Sequence, residues 1–299
     1  MARQAWGSRK REIGRRDSEG KRLKDKEKRI FKMAELRELI IAVKGAGEMG
    51  SAVAWRLFMA NFRNIVMLEI DHPLAVRREV SFCEAVHDGQ KQVEEVTALL
   101  VTNPAEVKKC WEKRNIAVMV DPRWLTISSL RPNVIIDAIL AKRNLGTRKN
   151  DAELVVGLGP GFNAGEDVHM VVETNRGHHL GRIIMHGSAA PNTGVPGPIG
   201  GVTEQRVLRA PADGQFQPRL KIGDNVRQDQ IVGSVAGNAV RSRIEGVLRG
   251  LIRPNIEVTQ GLKIGDIDPR GDASYCYTIS DKARAIAGSV LEAILRKYN

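Results

Sequence analysis

A glycine-rich turn between a short apolar run and an amphipathic segment constrains the fold of this chain more than any other feature. The apolar residues 40–43 lead directly into "KGAGEMG", which places glycines at positions 45, 47 and 50. In a strand–turn–helix unit, Gly45 permits the tight turn, Gly47 lets the backbone approach a pyrophosphate, and Gly50 lets the helix pack against the strand. The helix N-terminus would then present N–H groups to an anion, so the pattern predicts a dinucleotide-binding turn.

A second strand supports this prediction. The run "IVMLE" ends at Glu69, 19 positions after Gly50. A carboxylate at that distance can accept hydrogen bonds from a ribose diol, which favours an NAD-like dinucleotide over NADP. The alternative is a glycine-rich turn in an α/β sheet that holds no ligand.

Strand-like and helical segments alternate after this unit. The apolar runs 116–121, 133–140 and 154–161 are separated by "PAEVKKCWEKRN" and "PRWLTISSL", which have helical character. This alternation predicts an α/β fold with a Rossmann-like parallel sheet. Ligands bind at the carboxyl ends of such strands, so Lys142 and Arg143 are candidate phosphate contacts. A solvated pair of surface cations is the alternative.

An internal repeat defines the next part of the chain. A shift of 32 residues aligns Gly214 with Gly246 and Gly233 with Gly265, without a gap. Each copy consists of short alternating strands separated by Gly, Asp or Asn turns. Neither copy can bury its apolar side alone, so we expect the two to pack face to face as an inserted all-β domain.

The chain ends in a predicted amphipathic helix. Ser280 is a suitable N-cap, and an apolar stripe follows it up to the basic pair "RK". We expect this helix to pack back on the large sheet. The predicted domains are a tail over 1–35, a Rossmann-like nucleotide- or cofactor-binding domain over 36–204, the all-β domain over 205–268, and a helical segment over 269–299.

The net charge of +12 is concentrated at the N-terminus. Residues 1–32 hold 13 Lys and Arg against 5 Asp and Glu. This segment has too few aliphatic residues to repay its ordering entropy, so we predict a disordered basic tail. It lacks interleaved aromatic residues, which argues against nucleic-acid binding as its function. Natural translation from Met33 is the alternative reading.

The sequence offers no clear catalytic or metal-binding set. His169 and Glu173 have the spacing of a metal pair on a helix, but their segment is typical of a strand, where about 13 Å would separate the two. We therefore predict hydrogen-bonded histidines and no metal site. The cysteines, at positions 83, 110 and 276, are expected to be buried thiols. The chain has no long apolar run or signal-like start, so we expect a cytoplasmic protein without membrane contact.

Several motifs together resemble one family. They are "KGAGEMGSAVAWRL", "DAILAKRNLGT", "GLGPGFNAGEDVH", "VVETNRGHHLGR", "PNTGVPGPIGG" and "YCYTISDKARAIAGSVLEAIL". From about Met33 onward the chain resembles the selenium-dependent molybdenum hydroxylase accessory family. The resemblance implies a bacterial, cytoplasmic maturation factor whose partners are a molybdenum hydroxylase client and other accessory proteins of that system. It implies no catalytic residue. Its cofactor would be molybdenum cofactor, as the alternative to an NAD-like dinucleotide.

The repeat carries a resemblance of its own. Residues 206–268 resemble the biotinyl/lipoyl barrel-sandwich family, which carries its prosthetic group on a lysine between two halves. The corresponding hairpin, residues 236–239, is "AGNA" and has no lysine. The resemblance thus implies a barrel-sandwich domain that docks a partner, covers the nucleotide site or is purely structural, and does not act as a swinging arm.

Two other functions stay open at this point. One is an NAD-dependent oxidoreductase, for which His169, Lys142 and Cys83 are the candidate proton donors. The other is a scaffold without enzymatic activity, whose glycine-rich turn is empty.

Overall fold

The structure of the protein is a computed structural model that describes residues 35–299. Residues 1–34 of the predicted tail and the alternative start at Met33 lie outside these residues. Residues 35–38 are helical. The α-helices that follow are α1 (Glu48–Met59), α2 (Ala85–Asp88), α3 (Pro104–Glu112), α4 (Thr126–Leu130) and α5 (Asp281–Tyr298). Short 3-10 helices cover Arg78–Val80, Phe82–Glu84, Lys149–Asp151, Glu204–Arg206 and Ala273–Cys276.

The strands fall into two groups along the chain. The first comprises β1 (Ile40–Lys44), β2 (Asn64–Glu69), β3 (Gln90–Val93), β4 (Val96–Val101), β5 (Ile116–Val120), β6 (Val134–Asp137), β7 (Leu154–Leu158), β8 (Met170–Val172) and β9 (Ile183–Ile184). The second comprises β10 (Val207–Arg209), β11 (Gly214–Pro218), β12 (Asn225–Val226), β13 (Ile231–Val235), β14 (Asn238–Arg241), β15 (Gly246–Leu251), β16 (Glu257–Val258) and β17 (Lys263–Asp268).

The first group forms one nine-stranded sheet in the order β3-β4-β5-β2-β1-β6-β7-β8-β9. The strands from β4 to β8 in this order run parallel, whereas the edge strands β3 and β9 run antiparallel to their neighbours. β3 and β4 are joined by two residues, of which Glu94 has a φ of 49°. A connection this short can only reverse the chain, so the strands it joins are antiparallel.

The second group forms two four-stranded antiparallel sheets, β10-β17-β15-β12 and β14-β13-β11-β16. The fold is therefore mixed α/β, with one large mixed sheet and two antiparallel sheets. The predicted fold class, a Rossmann-like parallel sheet with an inserted barrel-sandwich domain and a C-terminal helix, is wrong. Alternating runs indicate where strands lie, but short hairpins at the sheet edges decide whether a sheet is parallel or mixed.

The internal repeat has a clear structural counterpart. At the shift of 32 residues, β11, β12 and β13 correspond to β15, β16 and β17. β11 pairs with β13 of its own copy and with β16 of the other, while β15 pairs with β17 and with β12. The two copies thus exchange their middle strands. Each completes the other's sheet, and together they enclose one apolar core around Phe216 and Leu248.

Helices cover both faces of the large sheet. On one face, α1 and α5 pack against each other and bury Val53, Leu57, Ile286 and Val290. On the other face, α3 contributes a smaller core. The strand period of two and the helix period of 3.6 account for these buried sides. The predicted N-cap is confirmed, because the Ser280 side chain accepts a hydrogen bond from the N–H of Ala283 at the start of α5.

The two antiparallel sheets contact the α/β part directly. Gly250 of β15 lies against residue 76, where a Cβ would be 2.7 Å from the Val76 carbonyl oxygen. The Arg78 Nε donates to the Leu251 carbonyl over 2.7 Å, and the Arg253 Nε donates to Glu84 over 2.8 Å. Within residues 35–299, no helix has the length and apolar character needed to cross a membrane.

Candidate functional site

A cleft of about 690 Å³ lies where the carboxyl ends of the central parallel strands face the antiparallel sheets. Segments that follow β1, β2 and β6 form one wall, and residues of β15 and β17 form the other. Residues 190–197 and the start of α5 also line it. Clefts at the carboxyl edge of a parallel sheet and at domain boundaries are common ligand sites.

The glycine-rich turn has the local geometry that its spacing predicts. Gly45 has a φ of +87°, which side-chain-bearing residues rarely adopt. A Cβ on Gly50 would overlap the carbonyl oxygen of Gly45, so α1 can approach β1 only with glycine there. Gly47 is the N-cap of α1, and a Cβ at Gly47 would project into open space. Gly45 and Gly47 line the cleft, whereas Gly50 supports it from behind.

Glu69 is tied to this turn through its side chain. One carboxylate oxygen accepts the N–H of Ala46 over 2.7 Å, and the other accepts the N–H of Ile70 over 2.9 Å. Burial raises the pKa of Glu69, while the two N–H donors act in the opposite direction. Glu69 lines the cleft and stabilises the turn. Its hydrogen bonds to a ribose diol stay a prediction.

Only one of the two predicted phosphate contacts, Lys142 and Arg143, lies at the cleft. Lys142 lines the cleft, and its own backbone has a φ of 64°. Arg143 is exposed and does not line the cleft; its backbone packs on Gly161, where a Cβ would be 2.6 Å from the Arg143 nitrogen. Of the two, the structure therefore offers only Lys142 to a ligand in the cleft.

The segment that carries Lys142 is anchored by a buried lysine that the sequence did not single out. The Lys44 Nζ lies 3.8 Å from the Trp124 ring centroid and donates to the Thr147 hydroxyl over 2.7 Å. That hydroxyl donates to Asp137 over 2.7 Å. Burial lowers the pKa of Lys44, and the nearby Asp137 and Asp151 carboxylates raise it. This network joins the ends of β1 and β6 to the segment beyond them.

Arginines dominate the opposite wall. Asp266 of β17 is buried and accepts hydrogen bonds from Arg206 and Arg249, the latter over 2.7 and 3.1 Å. Lys263 lies 3.5 Å from the same carboxylate. Asp268 accepts from Arg249 over 3.2 Å. The Lys263, Arg249 and Arg206 cations hold the pKa of Asp266 below its usual value against the effect of burial.

A second cationic group surrounds the start of α5. Arg77 is buried and donates to Glu48 over 3.1 Å and to two backbone carbonyls. The Ser280 hydroxyl donates to the same Glu48 oxygen over 3.0 Å. Arg176 forms two hydrogen bonds with Asp281.

Lys282, the second residue of α5, also lines the cleft. Burial lowers the pKa of Lys282. Sequence reasoning missed these cations because they come from distant segments. The one local signal was Arg249, which interrupts the apolar run of β15.

Of the three candidate proton donors, Lys142 and Cys83 line the cleft and His169 does not. Cys83 lines the cleft, but it is buried and burial raises its thiol pKa well above the usual value. His169 lies at a second, more open cavity, where its Nδ1 accepts the N–H of Val155 over 2.9 Å. All three cysteines are free and buried, which confirms that prediction. Among residues 35–299, no cluster of three His, Cys, Asp or Glu side chains could hold a metal ion.

Comparison with known proteins gives one curated relative. Over 256 residues the chain is 47% identical to YqeB of Escherichia coli (strain K12), a protein described as uncharacterized. The match covers 86% of this chain and 47% of YqeB. The chain thus spans about half the length of the curated relative it matches. No family model matches the chain.

Solved structures give only slight similarity. An aspartoacylase family protein from Mesorhizobium loti has 11% identity and a TM-score of 0.23, covering 71% of this chain and 58% of its own. A succinylglutamate desuccinylase/aspartoacylase from Rhodobacter sphaeroides has 11% identity and a TM-score of 0.23, with 77% and 87% covered. Product-bound EutE (DoeB) from Ruegeria pomeroyi has 15% identity and a TM-score of 0.21, with 29% and 28% covered. Similarity at this level assigns no activity to this chain.

These comparisons correct the resemblance drawn from the sequence motifs. None of the proteins named above is described as a molybdenum hydroxylase accessory, as selenium-dependent or as a Rossmann nucleotide-binding protein. The predicted family membership is wrong, and so is the maturation function with its NAD-dependent oxidoreductase alternative. Four of the six motifs lie mainly in turns and loops of this chain, and the other two run into α1 and α5. Such elements recur on unrelated folds. The predicted cofactors, client and accessory partners and cytoplasmic location stay predictions.

Proposed function

We propose that this protein binds a small organic or inorganic polyanion, with carboxylate or phosphate groups, in the cleft between the large sheet and the antiparallel sheets. The observation that carries the proposal is the charge of the lining. The cationic side chains of the lining are Arg77, Lys142, Arg176, Arg206, Arg249, Lys263 and Lys282. Among the described residues, its carboxylates are Glu48, Glu69 and Asp266.

Each of these carboxylates already has hydrogen-bond donors. Glu48 accepts from Arg77 and Ser280, Glu69 from two backbone N–H groups, and Asp266 from arginines. Their negative charge is thus held by fixed donors at the walls. An incoming anion meets cations whose charge exceeds that of the acids around them.

Some of the cationic groups have N–H donors that form no hydrogen bond within residues 35–299. Within residues 35–299, neither Lys142 nor Lys282 forms a hydrogen bond or an ion pair with another side chain. The Nε atoms of Arg77 and Arg206 are buried and likewise have no partner there. Buried donors without partners are costly, and an anion would satisfy them with charge-assisted hydrogen bonds.

The cations lie on both walls, which favours a ligand with more than one anionic group. Lys142 and Lys282 come from the α/β part, whereas Arg249 and Lys263 come from the antiparallel sheets. A polyanion can contact both sets at once, and the partly enclosed cleft strengthens each ionic contact relative to bulk water.

The test is a binding titration with defined probes. We expect citrate and pyrophosphate to bind and to raise the Tm, and acetate to bind far more weakly. Lys282→Gln should weaken citrate binding about tenfold, because it removes one charge-assisted contact. The matched control is Lys108→Gln, which removes an exposed lysine of α3 outside the cleft.

Two results would contradict the proposal. One is the absence of binding of either polyanion at low ionic strength. The other is an equal loss of affinity in the Lys282→Gln and Lys108→Gln variants, which would show that only the overall charge of the protein matters.

A further inference from the structure

The cationic cleft has an apolar rim. Ile70, Leu74 and Val195 line the cleft, and their side chains are 45%, 49% and 52% exposed. Single exposed apolar side chains are ordinary on a protein surface. These three, however, border one cleft whose walls are cationic, together with the partly buried Ile139 and Leu140.

The segment immediately after β2 carries two of these side chains. The N–H of Ile70 donates to the Glu69 carboxylate over 2.9 Å, which fixes the chain immediately after β2. Leu74 follows in the same segment and precedes the buried Arg77. These apolar groups are therefore set beside the ionic lining by the elements that build the glycine-rich turn.

Val195 reaches the cleft from the segment 190–197. That segment is held at one end by the N–H of Ala190, which donates to Glu173 over 2.7 Å. Near its other end, the Gly197 carbonyl accepts from Arg206 over 2.9 Å. It thus connects the large sheet to the cationic wall and places an exposed valine between them.

We infer that the ligand of this cleft is amphipathic: a phosphate or dicarboxylate group attached to a short apolar body, with the anion at the cationic walls and the apolar body against Ile70, Leu74 and Val195. The inference rests on the proposed function and specifies its ligand class. An inorganic polyanion would leave the apolar rim in water, whereas an amphipathic one would cover it and gain hydrophobic stabilisation.

The experiment compares two series of ligands with increasing chain length: ethyl, butyl and hexyl phosphate, and ethyl-, butyl- and hexylmalonate. Full burial of one methylene is worth about fourfold in affinity. Because the rim stays partly open to solvent, we expect about tenfold between the ethyl and hexyl members. The series that binds more tightly identifies the anionic group as a phosphate or a dicarboxylate.

Variants locate the effect. Leu74→Ser should reduce the dependence on chain length, because it weakens the binding of the hexyl members more than that of the ethyl members. Leu125→Ser is the matched control, since Leu125 is 61% exposed and lies outside the cleft.

A series that binds with the same affinity at every chain length would overturn this inference, although the proposed polyanion site would stand. Failure of citrate, pyrophosphate and all the alkyl ligands to bind would overturn both. A dependence on chain length that Leu74→Ser and Leu125→Ser reduce equally would place the apolar contact elsewhere and overturn the inference.

Discussion

Glu69 and Asp266, which lie on opposite walls of the cleft, are held by different means. On the large sheet, Glu69 accepts backbone N–H groups of the turn and of its own neighbour. On the antiparallel sheets, Asp266 accepts hydrogen bonds from Arg206 and Arg249, with Lys263 nearby. Glu69 is held by local backbone geometry, and Asp266 by ion pairs with arginines distant in sequence.

This difference determines what each wall tolerates. Backbone donors stay in place when a side chain changes, so the turn that holds Glu69 is sensitive mainly to steric changes at its glycines. The second wall, which carries Asp266, depends on charge balance, because each arginine is buried against a carboxylate. Removing one partner from such a group leaves a buried charge without compensation.

The largest expected effect is at the ionic wall. Asp266→Asn removes the charge that Arg206, Arg249 and Lys263 share, and we expect the free energy of unfolding to fall by about 3–5 kcal/mol. Urea denaturation measures it. Asp229→Asn is the control, since Asp229 is exposed in the same part of the chain. Similar stabilities of the two variants would mean that the second wall does not depend on its ion pairs.

The next effect is at the backbone wall. Gly50→Ala would push a methyl group into the Gly45 carbonyl, and overpacking of this kind costs about 1–3 kcal/mol, with the upper end expected because the obstacle is backbone. Gly47→Ala adds the same atom in open space and should cost less than about 1 kcal/mol, since alanine is only a poorer N-cap. Thermal unfolding compares the pair. Equal losses in the two variants would contradict the steric explanation.

The same contrast explains how much the sequence could predict. The turn was predictable because the roles of Gly45 and Gly50 follow from spacing within one strand–turn–helix unit. The repeat was predictable because a constant shift of 32 residues aligns its two copies, although the exchange of their middle strands was not predicted. The group around Asp266 combines residues up to 60 positions apart, which only the strand pairing brings together. The antiparallel edge at β3 escaped prediction because the two residues between β3 and β4 carry no glycine or asparagine signal.

A smaller effect concerns pH. Burial lowers the pKa of Lys282, so this lysine loses its proton at a lower pH than an exposed lysine does. The cation is present below that pKa and lost as pH rises through it, so citrate affinity should fall, by up to about tenfold, on the alkaline side of neutrality. Titrations at increasing pH measure this fall. Lys282→Arg keeps its charge and should flatten the profile; an unchanged profile would assign the pH dependence to another group.

The smallest effect is at the exposed ion pair between Arg176 and Asp281 at the start of α5. Arg176 donates two hydrogen bonds to Asp281, which lower the pKa of that carboxyl to about 2. Its folded pKa lies below its ordinary value, so the stabilisation is present above the ordinary value and is lost as pH falls toward 2. The Asp281 side chain is 73% exposed, and solvent screening limits such a pair to about 0.2–1 kcal/mol.

Asp281→Asn should therefore lower the free energy of unfolding only slightly at neutral pH, and the difference from the wild type should vanish in acid. Denaturation at several pH values tests this, with Arg176→Gln and the double variant completing a cycle. A loss as large as that of Asp266→Asn would show that this contact is shielded from water like the second wall. A loss of about 0.2–1 kcal/mol in the free energy of unfolding would show that the Arg176–Asp281 pair is screened by solvent, unlike the buried ion pairs around Asp266.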